Sequence, residues 1–98
     1  MKIEIIKFGP LLTSRQSGKE ALAAFEPLLR SISENEEVII DFNGTKTFSP
    51  SWGDEFLTPL AKRYGDRFKL TDSDNSSVIA TIETLEDANH FKFNRVSR

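Results

Sequence analysis

The segment EVIIDFNGTKTFSPSWGDEF, residues 37–56, is the most informative for the fold because it changes from a strand pattern to a helix pattern midway. After Glu37, VIIDF is a short, mainly apolar run with three β-branched residues, typical of a central parallel strand covered on both faces. After Phe48 the spacing becomes helical, with Trp52 and Phe56 on a face that Leu60 continues. A strand that leads into an amphipathic helix is the repeating unit of α/β sheets, so this segment predicts an α/β fold.

The first residues predict strands. KIEIIKFG, residues 2–9, alternates charged and apolar side chains except at Ile6, as an edge or half-exposed strand does. Gly9 and Pro10 mark its end, and LLT, residues 11–13, suggests a short second strand.

A helix follows these strands, because the apolar residues from Ser14 onward recur at helical spacing. Either Ser14 or Ser17 can cap this helix, and Glu20 stands where a capping box with Ser17 would place it. Pro27 lies inside the pattern and removes one backbone hydrogen bond, so we expect a kink or a break near Ala24.

The C-terminal part predicts a strand and a third helix. DRFKLTD, residues 66–72, reads as a strand, and SDNSSVIATIETLEDANHF, residues 73–91, reads as a helix. The basic tail KFNRVSR, residues 92–98, is either a further strand or a frayed end. We therefore expect a single domain over residues 1–98, a small α/β sandwich whose mostly parallel β-sheet has about four strands and packs with three helices.

The composition excludes several classes of function. The chain has 98 residues, with 13 basic and 15 acidic ones and no basic stripe before the last few residues, so we expect no nucleic-acid binding. It has no cysteine, which excludes disulfides, thiolate nucleophiles and cysteine-based metal sites. No apolar run approaches the length that spans a bilayer, so we expect a cytoplasmic protein without a membrane partner.

The junction TFSPSWGDE, residues 47–55, is the candidate functional site because it begins a helix at the carboxyl end of a strand. A helix start exposes unpaired N–H groups and a partial positive charge, so Ser49 or Ser51 can cap the helix there and an added phosphate is tolerated. A purely structural interpretation fits as well: a serine cap, a first-turn proline at Pro50, and acids that favour the helix dipole.

Enzymatic and metal-binding interpretations have less support. Ser51, Asp54 and His90 can be written as a triad, but no GxSxG turn surrounds the serine, and we expect no enzymatic activity. The sequence also lacks a glycine-rich phosphate loop and a complete calcium loop, so we expect no metal and no cofactor. An oxygen-rich cation site is conceivable only from five acids near strand or helix ends: Asp41, Asp54, Glu55, Asp72 and Asp74.

The segment VIIDFNGTKTFSPSWGDEFLTPLAKRYG resembles the central part of STAS domains, the fold of bacterial anti-sigma factor antagonists. It is more closely similar to a STAS-like group of uncharacterised domains, with a resemblance that covers roughly residues 12–86. The positions that carry this closer match are Phe48, Ser51, Trp52, Gly53, Asp54, Glu55 and Phe56.

The resemblance implies a non-enzymatic, regulatory protein-interaction module. In anti-sigma factor antagonists a GHKL-type kinase phosphorylates the second serine of a DSSG motif, and that serine falls on Ser51 here. The chain departs from the motif because Ser49 replaces the acid, Pro50 replaces the first serine and Trp52 replaces the glycine. The implied partner is a protein, either a GHKL-type kinase or an anti-sigma factor, and Ser51 and then Ser49 are the phosphorylation candidates.

The candidate contact residues lie around this junction. Trp52 fits either a buried position, in line with its spacing to Phe56 and Leu60, or an exposed interface anchor. The alternative function is a small-ligand or anion-binding domain that holds a nucleotide or phosphate at the start of the second helix. The full set of candidate partner-binding residues is Asp41, Ser49, Ser51, Trp52, Gly53, Asp54 and Glu55.

Overall fold

A computed structural model describes residues 1–97. It contains three helices, α1 (Arg15–Leu29), α2 (Pro50–Tyr64) and α3 (Ser76–Asn89). Its six strands are β1 (Lys2–Glu4), β2 (Leu11–Leu12), β3 (Val38–Asp41), β4 (Thr47–Phe48), β5 (Phe68–Thr71) and β6 (Asn94–Val96). Four of them form a sheet in the order β1-β3-β5-β6, with every neighbouring pair parallel, and β2 pairs with β4 in a second small parallel sheet. The predicted α/β class, with three helices and a mostly parallel four-stranded sheet, is confirmed.

The three helices cover one face of the four-stranded sheet. The chain moves across the sheet in one direction only, and right-handed crossovers made in one direction place every helix on the same side. The helix contacts support this arrangement, because α1 packs against α2 and α2 packs against α3. Ile3, Ile40 and Leu70 face these helices and are fully buried.

Among the described residues, no helix lies on the opposite face of the sheet, so the prediction that β3 is covered on both faces is wrong. Ile39 lies on this second face and is only half-buried. Its neighbours in register are Lys2 on β1 and Lys69 on β5. Long side chains with charged ends therefore flank the apolar residue where a helix was expected to pack.

The first strand is shorter than predicted, because β1 ends at Glu4 and residues 5–8 form a 3₁₀ turn. In a continued strand, Phe8 would point to the opposite face from Ile3. The turn instead brings the Phe8 ring onto the helical side, where its centroid lies 5.3 Å from that of Phe56. Packing of the Phe8 ring against the core is therefore favoured over continuation of the strand that the alternating pattern predicted.

Helix α1 begins after Ser14, whose Oγ accepts a hydrogen bond from the Ser17 backbone N–H at 3.0 Å. Ser14 is thus the cap, and the capping box with Ser17 does not form, because the Glu20 carboxylate accepts from the Gln16 side chain instead. The helix is not broken at Pro27 and ends at Leu29.

The tail forms a strand, since residues 94–96 pair with β5, and this confirms one of its two predicted alternatives. Arg98, the last residue of that tail, lies outside the described residues. Within residues 1–97, no helix has the length and apolar character that crossing a membrane requires.

Aromatic rings from the 3₁₀ turn, β4 and α2 form the centre of the core. The Trp52 ring lies 4.9 Å from Phe56, 5.7 Å from Phe48 and 5.9 Å from Phe8, measured between centroids. Contacts of this kind add about 0.5–1.5 kcal/mol each to the free energy of burial. The start of α2 is therefore anchored to the core from its first turn.

Gly18 lets α1 approach this first turn of α2 closely. A Cβ at position 18 would lie 2.6 Å from the Trp52 carbonyl oxygen and 3.1 Å from the Trp52 Cα, which are backbone atoms that cannot rotate away.

Further along the same helices, the Arg63 guanidinium donates to both carboxylate oxygens of Glu26. That hydrogen-bonded pair holds the pKa of Glu26 below its usual value.

We expect Gly18→Ala to destabilise the protein although alanine is the better helix former. The gain in helix propensity is about 1 kcal/mol, whereas overpacking against backbone costs about 1–3 kcal/mol and forces the helices apart. Because the clash is with backbone, the overpacking cost lies in the upper part of its range, and urea denaturation should show a net loss of roughly 1–2 kcal/mol in the free energy of unfolding. Gln16→Ala, an exposed change in the same helix, is the control and should stay within about 0.5 kcal/mol of the wild type. Equal stability of Gly18→Ala and the wild type would contradict the close contact.

Candidate functional site

The first turns of α1 and α2 lie side by side at one edge of the sheet. Because neighbouring strands are all parallel, the connecting helices run back against them, and helix starts gather where strands end. We call residues 14–18 and 49–55 the helix-start surface. It contains most of the junction that the sequence indicated.

Ser49 is the cap of α2, and its hydroxyl is fully engaged. Its Oγ accepts from the Trp52 N–H at 3.3 Å and donates to the Thr13 carbonyl at 2.8 Å. Pro50 then occupies the first helical position, where the missing N–H costs nothing. Of the two predicted cap residues, Ser49 is the one that the structure uses.

Ser51 is the second residue of α2 and is half-buried. Across residues 1–97, its hydroxyl makes no hydrogen bond with another residue. Asp54 and Glu55 follow it by three and four positions, so all three side chains lie on the same side of the helix. Of the two serines of the junction, Ser51 is therefore the one whose hydroxyl is uncommitted.

Arg15, the first residue of α1, bridges to both of these acids. Its Nη1 lies 3.1 Å from Asp54 Oδ2 and 2.8 Å from Glu55 Oε1. The hydrogen bonds to Glu55 and then to Asp54 raise the pKa of the guanidinium above its usual value. The Arg15 side chain is 54 % exposed, so water weakens these pairs and the guanidinium can exchange partners at little cost.

Trp52 and Gly53 belong to the core. Trp52 is 1 % exposed, which confirms its buried alternative and makes the exposed-anchor alternative wrong. A Cβ on Gly53 would lie 3.0 Å from Leu85 Cδ1 and 3.2 Å from Thr81 Cγ2, so this glycine allows α3 to pack close to α2. Trp52 and Gly53 therefore fix the position of the junction through their contacts with the core and with α3.

Asp41 lies away from the helix-start surface. It follows the inward-facing Ile40, so its side chain points to the face of the sheet without helices. There its Oδ2 lies 3.3 Å from Lys2 Nζ, and its Oδ1 accepts from the Asn43 N–H at 3.0 Å. The structure does not bring Asp41 together with the other candidates.

The groups considered for catalysis and metal binding are also separated. His90 caps the C-terminal end of α3, a helix of 14 residues and hence about 20 Å long, whereas Ser51 lies at a helix start. Asp54 pairs with Arg15, and Asp72 lies 3.7 Å from Arg95. In the part of the chain that the structure describes, no three His, Asp or Glu side chains are grouped so as to hold a metal ion.

A family described as STAS-like domain of unknown function (DUF4325) matches residues 18–78. The chain belongs to this family. The match runs from Gly18 in α1 to Val78 in α3 and includes all of the junction, which confirms the STAS-like resemblance. Neither the curated proteins nor the solved structures gave a match.

The start of α2 in this STAS-like domain has little free capacity for an anion. Pro50 has no N–H, Ser49 Oγ takes the Trp52 N–H, and the Gly53 N–H bonds to the Ser49 carbonyl. The Ser51 N–H is the one that remains in this turn. Two acids, Asp54 and Glu55, add negative charge nearby, so the geometry does not favour the alternative of a phosphate or nucleotide site here.

Sequence reasoning missed Arg15 and Thr13 as parts of the site. Both are far from Asp54 and Ser49 along the chain, and only the packing of α1 on α2 brings them together. The one available signal was charge, because Arg15 is a cation at a helix start, where the helix dipole disfavours it. A cation in that position indicates a compensating acid elsewhere in the fold.

The two serines should differ in their effect on stability. We expect Ser49→Ala to lower the free energy of unfolding by about 1 kcal/mol, because it removes the cap and the bond to Thr13. Ser51→Ala removes no hydrogen bond and should change stability by less than about 0.5 kcal/mol. Urea denaturation of both variants measures the difference, and an equal loss in the two would contradict the assignment of Ser49 as the cap.

Proposed function

We propose that this STAS-like domain is a non-enzymatic regulatory module that docks on a protein partner through the helix-start surface. Phosphorylation of Ser51 is the event that changes its affinity. A GHKL-type kinase or an anti-sigma factor is the partner class that the resemblance to anti-sigma factor antagonists suggests. The proposal places the protein in the bacterial cytoplasm, the compartment of such partners.

The observation that carries the proposal is the setting of the Ser51 hydroxyl. It is half-buried and has no hydrogen-bond partner among residues 1–97, whereas Ser49 is committed to its cap. A phosphate on Ser49 would break two hydrogen bonds of the fold. A phosphate on Ser51 would leave the cap intact, so modification there changes the surface and preserves the fold.

The charges around Ser51 explain how a phosphate would act. It would add nearly two negative charges on the side of the helix that already carries Asp54 and Glu55. Arg15 is the cation that bridges these acids, and a phosphoserine competes for it. Asp54 and Glu55 then lose the ion pair with Arg15, and the surface that a docking protein contacts becomes more negative.

Charge substitution at Ser51 tests the proposal. The wild type, Ser51→Ala and Ser51→Glu are immobilised, and proteins captured from the native host are quantified by mass spectrometry. We expect a specific partner whose binding falls about tenfold or more with Ser51→Glu, a change of about 1.4 kcal/mol. Intact mass of the protein recovered from the host reports the phosphate itself.

Thr84→Glu is the matched control, because it adds the same charge at an exposed position of α3, outside the helix-start surface. It should bind the partner as the wild type does. If every captured protein binds Ser51→Ala and Ser51→Glu as strongly as the wild type, the switch at Ser51 is wrong. If the loss is the same with Thr84→Glu, general charge repulsion explains it and the docking surface is misplaced.

A further inference from the structure

The uncovered face of the sheet contains a cleft of about 550 Å³, separate from the helix-start surface. This volume is in the range of sites that bind small molecules. The cleft lies toward the carboxyl ends of β3, β5 and β6, the edge where parallel sheets usually place their ligands. The residues that line it include Lys2, Ile39, Asp41, Asn43, Thr71 and Val96.

One anion and one cation stand next to each other in this cleft. The Asp41 side chain is only 12 % exposed, and its Oδ2 lies 3.3 Å from Lys2 Nζ. Lys2 is at the rim, with 59 % of its side chain exposed. A ligand with a net negative charge would be repelled by the Asp41 carboxylate, and a ligand with a net positive charge would be repelled by the Lys2 ammonium. A zwitterion avoids both repulsions, because each of its charged groups can pair with the opposite charge in the cleft.

The cleft also has hydrogen-bonding capacity that the fold does not use. Thr71 Oγ1 accepts from the Phe42 N–H, but within residues 1–97 the Thr71 hydroxyl donates to no other residue. The Asn43 side-chain amide likewise makes no hydrogen bond in that part of the chain. Ile39 and Val96 give the cleft an apolar floor beside these polar groups.

We propose that this cleft binds a small zwitterion with an apolar substituent, namely an aliphatic or aromatic α-amino acid. The ligand ammonium pairs with Asp41 and its carboxylate pairs with Lys2, with Thr71 and Asn43 as additional hydrogen-bond partners. The ligand side chain covers Ile39 and Val96. This site is independent of the proposed docking function, because it lies on the opposite face of the sheet.

Titration of the full-length, ¹⁵N-labelled protein with L-phenylalanine and L-leucine tests the site by NMR. We expect saturable shifts of the backbone amides of Ile39, Thr71 and Val96 at ligand concentrations up to roughly 10 mM, as for a weak specific ligand. Phenethylamine, which lacks the carboxylate, and 3-phenylpropionate, which lacks the amine, should each shift these amides at least tenfold more weakly.

Three variants complete the test. Asp41→Asn keeps an acceptor for the Asn43 N–H, and Lys2→Met changes an exposed side chain, so both should fold and lose at least tenfold in affinity. Lys69→Met is the control, because Lys69 lies on the same face but outside the cleft lining, and it should bind as the wild type does. The proposal is overturned if no amino acid shifts the cleft amides, if 3-phenylpropionate or phenethylamine binds equally well, or if Asp41→Asn and Lys2→Met retain wild-type affinity.

Discussion

The close contact between Gly18 and Trp52 is the constraint on which the rest of this domain depends. Because position 18 has no side chain, the first turn of α1 lies against the backbone of α2. Below that contact, the Trp52 ring lies among other aromatic rings of the core. Above it, Arg15 reaches Asp54 and Glu55 across the two helices. This single close contact thus determines how α1 and α2 pack and positions the charged side chains at their N-terminal ends.

The junction divides its residues between support and surface. Ser49, Trp52 and Gly53 are engaged in the cap and the core, so they define where α2 begins and how deeply it is anchored. Ser51 shares the outer side of the same turn with the acids that Arg15 bridges. This division is compatible with the regulatory role proposed above, because a modification of the surface residues would leave the cap and the core contacts of α2 in place.

Local patterns in the sequence predicted the larger elements and left the tertiary pairings open. The run at residues 38–42 indicated the central strand, and the spacing of Trp52 with Phe56 predicted burial on α2. The two-residue strand β4 was not predicted, because its pairing with β2 joins segments distant in sequence. The uncovered sheet face also escaped prediction, since a continuous apolar run in one strand does not show whether a helix covers each side. For the cap of α2, the sequence analysis left Ser49 and Ser51 open. Pro50 was the signal that could have decided between them, because a proline at the first helical position makes the preceding Ser49 the cap.

Hydrogen–deuterium exchange on the complex with the proposed protein partner shows directly whether the domain binds through its helix-start surface. Exchange at residues 14–18 and 49–55 is compared in the free and bound domain, with the C-terminal half of α3 as an internal reference. We expect slower exchange in both segments on binding, and unchanged exchange in the reference. Protection confined to β1 and β6, with no change at the helix starts, would contradict this expectation.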